Sequence, residues 1–115
     1  MTIDVMDAVF RALADASRRE LLDRLRAENG QTLSELCARL AKSGPSMTRQ
    51  AVSKHLAILE EANLVATVKR GREKLHYLNP VPLHEIYDRW IGKFERGHLQ
   101  ALANLKKSLE QNKNT

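Results

Sequence analysis

The sequence predicts a mainly α-helical fold with one small β-hairpin, made of five helices and a two-stranded ribbon. Apolar residues recur every three to four positions along most of the chain, which is typical of amphipathic helices. The 115 residues include only 5 Gly and 3 Pro, too few breaks for a fold of many short strands. One strand-favouring stretch turns about Gly71, as a hairpin does.

The first three helices are predicted from apolar spacing and from capping residues. The first covers positions 5 to 13, and the second starts near Ser17, because Ser17–Glu20 has the form of a capping box. Asn29–Gly30 predicts the end of that helix. A second capping box, Thr32–Glu35, opens the third helix, and Gly44 followed by Pro45 ends it.

The fourth helix and the hairpin follow directly. The helix is predicted to begin at Thr48, with Ser46 as the competing cap, and to run to about Ala62, where Asn63 closes it in a left-handed conformation. Two strands, 65–70 and 73–78, then flank a turn at Gly71–Arg72. Helices followed by a hairpin in this order are typical of a winged helix-turn-helix, in which the hairpin is the wing.

The last helix is predicted as one element from Leu83 to Leu109, because apolar residues keep their spacing throughout. It would reach about 40 Å at ~1.5 Å per residue, more than one small domain covers. Its apolar stripe therefore predicts a second copy of the chain as partner. Residues 1–111 are expected to form a single winged-helix DNA-binding and dimerisation domain, and residues 112–115 a disordered tail.

The chain carries an excess of cations and one cysteine. Its formal charge of +5 favours an anionic partner, commonly nucleic acid, although a merely soluble basic protein has the same balance. Cys37 alone allows no intrachain disulfide and suits a reducing compartment. With no signal peptide and no apolar run of about 18 residues, we expect a cytoplasmic protein that does not associate with membranes.

The fourth helix carries the strongest functional pattern. At ~100° per residue its apolar residues share one face, and the other face holds Arg49, Gln50, Ser53 and Lys54 with no carboxylate. Arginine can donate two hydrogen bonds to guanine and glutamine can pair with adenine, while serine and lysine reach phosphates. An ordinary solvated face is the alternative, but it is expected to carry mixed charge in its first two turns.

The hairpin adds a second basic group. Four cations surround the turn, opposed only by Glu73: Lys69, Arg70, Arg72 and Lys74. Beside the fourth helix they would lie along a phosphate strand or the minor groove. The alternative is a charged edge hairpin that discourages aggregation.

Several segments resemble the ArsR/SmtB-type regulators over nearly the whole chain. They are Phe10–Arg19, Arg49–Leu59 with its Ser-x-His-Leu core, Leu64–Val65, Arg70–Arg72 and Tyr77–Leu78. The resemblance implies a homodimer built on the first and last helices, double-stranded operator DNA as ligand, and repression by promoter occupancy.

The resemblance and the patterns above together define two sets of site residues. The DNA-contact set is Thr48, Arg49, Gln50, Ser53, Lys54, His55, Lys69, Arg70, Arg72 and Lys74. The dimer-interface set is Val5, Val9, Trp90, Phe94, Leu102, Leu105 and Leu109. Trp90 and Phe94 pack in the interface on one interpretation and line an effector pocket on another; the effector itself is not indicated by the sequence.

Metal sensing is the main alternative within the family. Of the Cys-x-Cys arrangement that some members use, only Cys37 is present, and Arg39 stands in the second position. A soft-metal site needs two to four such ligands, so Cys37 is interpreted as a packing residue. His84, Asp88 and His98 on the last helix do not reproduce the family's paired pattern. We therefore predict a metal-independent member without cofactor, and keep a last-helix metal site as the alternative.

Two other classes of protein are alternatives to a DNA-binding regulator. A winged-helix module that binds only proteins remains an alternative, but the basic helix face and wing favour DNA. An enzyme is not expected, because the sequence contains no glycine-rich phosphate loop, no carboxylate pair in a plausible cleft and no assembled Cys–His site.

Overall fold

The computed structural model describes residues 5–94 and 96–112, and the described part contains six helices and two strands. In chain order these are α1 (Val5–Leu13), α2 (Ala16–Ala27), α3 (Leu33–Ser43), α4 (Arg49–Glu61), β1 (Val65–Arg70), β2 (Glu73–Leu78), α5 (Val81–Trp90) and α6 (Arg96–Asn112). The chain divides into two compact units, one up to Leu83 and one from His84. No helix in the described ranges is long and apolar enough to cross a bilayer.

The prediction of one long last helix, and hence of five helices, is wrong. The helix ends at Trp90, because the backbone N–H groups of Ile91 and Gly92 both donate to the Tyr87 carbonyl, at 2.8 and 2.7 Å. A Cβ at Gly92 would lie 3.1 Å from the Tyr87 ring, so glycine permits this close approach. The apolar spacing continues on both sides of the break, which is why the pattern alone did not reveal it.

Aliphatic side chains from α1 to α4 and from the start of the hairpin form the core of the first unit. Its largest fully buried apolar side chains are Leu21, Leu25, Leu36, Leu59, Leu64, Val9 and Val52. Helix α1 packs on α2 and α4, α3 packs on α4, and the hairpin packs on α2, α3 and α4. The helix-turn-helix pair α3–α4 is therefore held between α1–α2 and the wing, β1–β2.

The start of α2 differs from the predicted capping box at Ser17. Asp15 is the N-cap, and its Oδ1 accepts hydrogen bonds from the backbone N–H groups of Ser17 at 2.8 Å and Arg18 at 3.1 Å. The Arg18 bond is the largest cause that lowers the pKa of the Asp15 carboxyl below its ordinary value. Because that pKa is depressed in the folded chain, the cap stabilises above the ordinary Asp pKa, and this contribution is lost as the pH falls through the folded value.

The predicted starts of α3 and α4 and the predicted end of α4 are confirmed, whereas α2 ends at Ala27, before the predicted Asn29–Gly30 stop, and α5 begins at Val81 rather than Leu83. Thr32 Oγ1 accepts from the Glu35 backbone N–H at 3.1 Å, and Glu35 Oε1 accepts from the Thr32 N–H at 3.2 Å, which completes the capping box of α3. Thr48 is the N-cap of α4, and Asn63 follows that helix with φ of 63°. Short-range side-chain-to-backbone bonds of this kind are readable from sequence spacing.

The wing also matches its predicted bounds. β1 and β2 pair in antiparallel fashion, Arg70 opposite Glu73, around the turn at Gly71, whose φ is 65°. A further bridge joins Gln31, between α2 and α3, to His76 of β2. This bridge connects the wing to the segment that precedes α3, next to the turn at Gly30.

Two glycines with positive φ allow a matched test of the contact between the Gly30 turn and the wing. Gly30 has φ of 82° and an added Cβ would lie 3.1 Å from Tyr77 Oη, whereas at Gly71 nothing lies within 4 Å. Gly71→Ala is therefore expected to cost about 1 kcal/mol of unfolding free energy from backbone strain alone. Gly30→Ala is expected to cost more, because the Tyr77 ring must also move. Urea denaturation at one protomer concentration measures both; equal losses would contradict a contribution from Tyr77.

Candidate nucleic-acid interface

Helix α4 separates an apolar face from a polar one, as its sequence predicts. Val52, Leu56 and Leu59 are buried at 0, 2 and 0 % exposure. The polar row of α4 comprises Arg49, Gln50, Ser53 and Lys54, and all four are exposed. Because the apolar face is buried, the polar row lies at the surface of the first unit. The row contains hydrogen-bond donors and no carboxylate.

The N-terminus of α4 is closed by its own cap. Thr48 Oγ1 accepts from the Ala51 backbone N–H at 3.1 Å. This bond uses a lone pair of the Thr48 oxygen and leaves its hydroxyl proton available, so Thr48 stays a predicted DNA contact. The helix N-terminus still supplies partial positive charge at the start of the polar row, where an anion is favoured.

Arg49 is held against the neighbouring helix. Its Nη1 donates to Ser34 Oγ at 3.1 Å, in the first turn of α3. Ser34 was not singled out in the sequence, although it stands inside the capping box that opens α3. The contact joins the starts of α3 and α4 and presents the Arg49 guanidinium between them.

The wing contributes the second basic group. Lys69, Arg70, Arg72 and Lys74 are all exposed, and Lys69 lies opposite Lys74 in the strand register. Lys74 Nζ also lies 2.9 Å from Glu60 Oε1 near the end of α4. The ion pair with Glu60 therefore connects the wing to α4.

A cleft of about 400 Å³ lies between the start of α3, α4 and the wing. It brings together four of the predicted DNA-contact residues: Arg49, Ser53, Arg72 and Lys74. Gln50, Lys54 and Lys69 are exposed outside its lining. The cleft also contains Glu60 and Glu73, so its positive charge is partly compensated, whereas Lys54 and Lys69 lie outside this lining.

His55 lies apart from the polar row. Its ring is half-buried, and Nδ1 is 3.4 Å from Arg18 Nη1 of α2. His55 is a predicted DNA contact by its place in the family motif. The structure places it at the packing contact between α4 and α2.

The predicted dimer-interface residues fall into two environments. Val9 is 2 % exposed and belongs to the core of its own protomer, so its side chain is not available to a partner. The others have large exposed apolar surfaces: Val5, Trp90, Phe94, Leu102, Leu105 and Leu109. Leu99, which the sequence analysis did not include, is exposed as well, three positions before Leu102 on α6.

The candidate metal ligands do not assemble into a cluster in the described ranges. Arg39, in place of a second thiol, forms an ion pair with Glu28 at the end of α2. The side-chain hydrogen bond of this pair lowers the pKa of the Glu28 carboxyl and raises that of Arg39. His84 Nε2 lies 3.4 Å from Asp88 Oδ2 in an exposed pair, and His98 is exposed on α6.

Comparisons with known proteins agree with this arrangement. Residues 13–68 match a helix-turn-helix domain family. The chain is 44 % identical over 86 residues to the uncharacterized HTH-type transcriptional regulator YuzN of Bacillus subtilis (strain 168), covering 74 % of this chain and 94 % of that protein. It is 29 % identical over 89 residues to the transcriptional repressor SdpR of the same organism, covering 77 % and 91 %.

A solved structure extends the agreement to the fold. An ArsR-like transcriptional regulator from Rhodococcus sp. RHA1 superposes with a TM-score of 0.65 and 31 % identity, covering 93 % of this chain and 92 % of that one. The mainly helical fold with a two-stranded wing is thus shared with that regulator. With sequence relatives that are helix-turn-helix regulators and an ArsR-like structural neighbour along almost its whole length, the chain belongs to the ArsR family of DNA-binding transcriptional regulators.

Proposed function

We propose that this regulator is a homodimeric, metal-independent repressor that binds double-stranded operator DNA with α4 in the major groove and the wing on the flanking backbone. The observation that carries the proposal is the polar row of α4, exposed opposite a buried apolar face. Arg49 and Gln50 are assigned to base edges, and Ser53 and Lys54 to phosphates. Because the ligand is DNA, the proposed location is the cytoplasm.

The charge distribution supports this docking. Within α4 the carboxylates are Glu60 and Glu61 at its C-terminal end, while the first turn contains none. Lys69, Arg70 and Arg72 are exposed on the wing, and Arg72 also lines the cleft. A duplex phosphate strand beside α4 would therefore meet cations on both the helix and the wing, which is the electrostatic requirement of non-specific affinity.

The proposed dimer uses the exposed apolar residues of α6. Leu99, Leu102, Leu105 and Leu109 are each between 42 and 56 % exposed, and their spacing places them on one side of the helix. Burying such a row against the same row of a second copy is a two-fold arrangement. Two α4 helices then read half-sites about one helical turn apart, so we expect a palindromic operator.

Residues 1–111 are proposed as the functional unit for DNA binding and dimerisation, with Asn112 ending α6 and residues 113–115 lying outside the described part. Repression is proposed from the named activity of the relative SdpR and from the simplest consequence of promoter occupancy. Metal independence is proposed from the Arg39–Glu28 ion pair, which occupies with a cation the position a second thiol needs.

The experiment that tests the proposal is a binding titration of the purified protein on its own promoter fragment and on a scrambled fragment, over a salt series, with and without Zn²⁺ and a chelator. We expect preference for the promoter by a factor of about 10³ or more, unaffected by Zn²⁺. Release by Zn²⁺ would favour the metal-responsive alternative, in which the His84–Asp88 pair takes part. Equal binding to both fragments that fades steeply with salt would favour the protein-interaction module.

The phosphate assignment of Lys54 has its own test. Lys54→Gln is expected to weaken binding to both fragments by a similar factor and to reduce the slope of log affinity against log salt by about 1. Lys107→Gln is the matched control, because it removes the same charge from exposed α6. The assignment fails if the two variants have the same slope, or if Lys54→Gln changes the preference between fragments.

A further inference from the structure

The guanidinium of Arg18 joins three helices behind the polar row. Its Nε donates to the Ala12 carbonyl at 2.8 Å, and Nη2 donates to the Arg11 carbonyl at 3.0 Å. Both carbonyls belong to the last turn of α1, where the i+4 donors of a continuing helix run out, and the Arg11 carbonyl also accepts from the Ala14 backbone N–H at 3.3 Å. The Arg18 side chain is only 15 % exposed, and its bond to the Ala12 carbonyl is partly buried.

The same group reaches α4. Arg18 Nη1 lies 3.4 Å from His55 Nδ1, and 3.9 Å from Asp15 Oδ2 at the cap of α2. Because arginine has donors and no acceptor, a hydrogen bond at this contact requires Nδ1 of His55 as the acceptor. The planar guanidinium of Arg18, whose hydrogen bonds are directional, thereby connects the end of α1 and the start of α2 to the middle of α4.

We infer that Arg18 and His55 are positioning residues for operator recognition, which set the rotation of α4 about its own axis. The inference rests on the proposed function. The apolar contacts of α4, made by Val52, Leu56 and Leu59, are non-directional and tolerate small rotations. A rotation of about 20° moves a side-chain tip at a radius of about 6 Å by about 2 Å. Base contacts need a placement within about 0.5 Å, so a directional contact is required.

A positioning residue and a DNA contact require different chemical groups on the side chain at position 55. A positioning residue needs an acceptor at the place of Nδ1, which His55→Asn supplies through Oδ1 and His55→Leu does not. A phosphate contact needs a donor or a positive charge, and its loss lowers the salt dependence of binding. The pair of variants therefore separates the two roles.

The test compares the wild-type protein with Arg18→Gln, His55→Asn and His55→Leu, and with Arg26→Gln as the control that removes the same charge from α2. Fluorescence anisotropy gives the affinity for the promoter and for the scrambled fragment over a salt series. We expect Arg18→Gln and His55→Leu to reduce the promoter-to-scrambled ratio about tenfold, with the affinity for the scrambled fragment changed less than about twofold. His55→Asn and Arg26→Gln are expected to keep the wild-type ratio.

Three results would overturn the inference. The first is an unchanged ratio in Arg18→Gln and His55→Leu. The second is an equal loss of affinity for both fragments, because a smaller fraction of folded protein produces that result. The third is a His55→Asn variant that loses as much as His55→Leu with a salt slope lower by about 1, which makes His55 a phosphate contact. If Arg18→Gln does not fold, the two His55 variants decide, because they leave the bonds from Arg18 to α1 intact. A wild-type protein without preference contradicts the proposed function instead.

Discussion

Gln50→Ala is expected to weaken promoter binding by about 1–3 kcal/mol and to relax the base preference at one position of each half-site. Gln50 is exposed at the start of α4, and a bidentate pair with a base is lost entirely when the amide is removed. The measurement is a titration of the variant against promoter fragments substituted one base pair at a time. A base-reading residue loses affinity for the cognate base and little for the others.

Arg49→Ala is expected to have the same kind of effect with a smaller magnitude. In the free protein Arg49 already donates to Ser34 Oγ, and that bond must break or be shared when the guanidinium meets a base. Ser34→Ala, which removes the competing acceptor, is therefore the informative companion and is expected to leave affinity unchanged or slightly raised. A uniform loss on every fragment for Arg49→Ala or Gln50→Ala would show that these residues contact phosphates.

Leu105→Glu is expected to abolish the dimer. Each buried leucine stabilises an interface by about 2 kcal/mol. A two-fold dimer loses this contribution from both protomers, because each contains the substitution. The burial of two carboxylates destabilises the dimer further. The dissociation constant of the dimer should rise more than about 10³-fold, so that light scattering gives the mass of a monomer or of aggregates. Promoter binding should fall in parallel, because a monomer reads only one half-site.

The matched control for this prediction is Gln100→Glu, which adds the same charge on α6 at a position whose amide donates to Asn104 within its own helix. At ~100° per residue Gln100 lies about 100° around the helix from Leu99 and about 140° or more from the other leucines of the row, so this variant should remain dimeric. Unchanged dimers for Leu105→Glu would contradict the use of α6 as the interface. Loss of the dimer in both variants would point to general destabilisation of α6.

Assignment to a family of transcriptional regulators also confirms that the chain is not an enzyme. The family was predicted from five segments taken together, Phe10–Arg19, Arg49–Leu59, Leu64–Val65, Arg70–Arg72 and Tyr77–Leu78. Their spacing is preserved in the fold, where the apolar face of α4 is buried and the wing turns at Gly71.

The sequence by itself determined the features that depend on neighbouring residues. The two faces of α4, the Thr32 capping box and the turn at Gly71 follow from periodicity and from bonds spanning a few positions, so no knowledge of distant contacts was needed. The limits of such local reasoning are visible at Asp15, where an equally good cap stands upstream of Ser17 and the rank of capping residues does not choose between them.

Only the tertiary structure decided which side chains are engaged elsewhere. The Arg49–Ser34 bond, the Lys74–Glu60 ion pair and the contact of Arg18 with His55 join residues 14 to 37 positions apart, and no periodicity encodes such pairs. Val9 belongs to the protomer core because α1 packs on α2 and α4. These outcomes depend on packing and directional bonds between elements, which form only when the chain has folded.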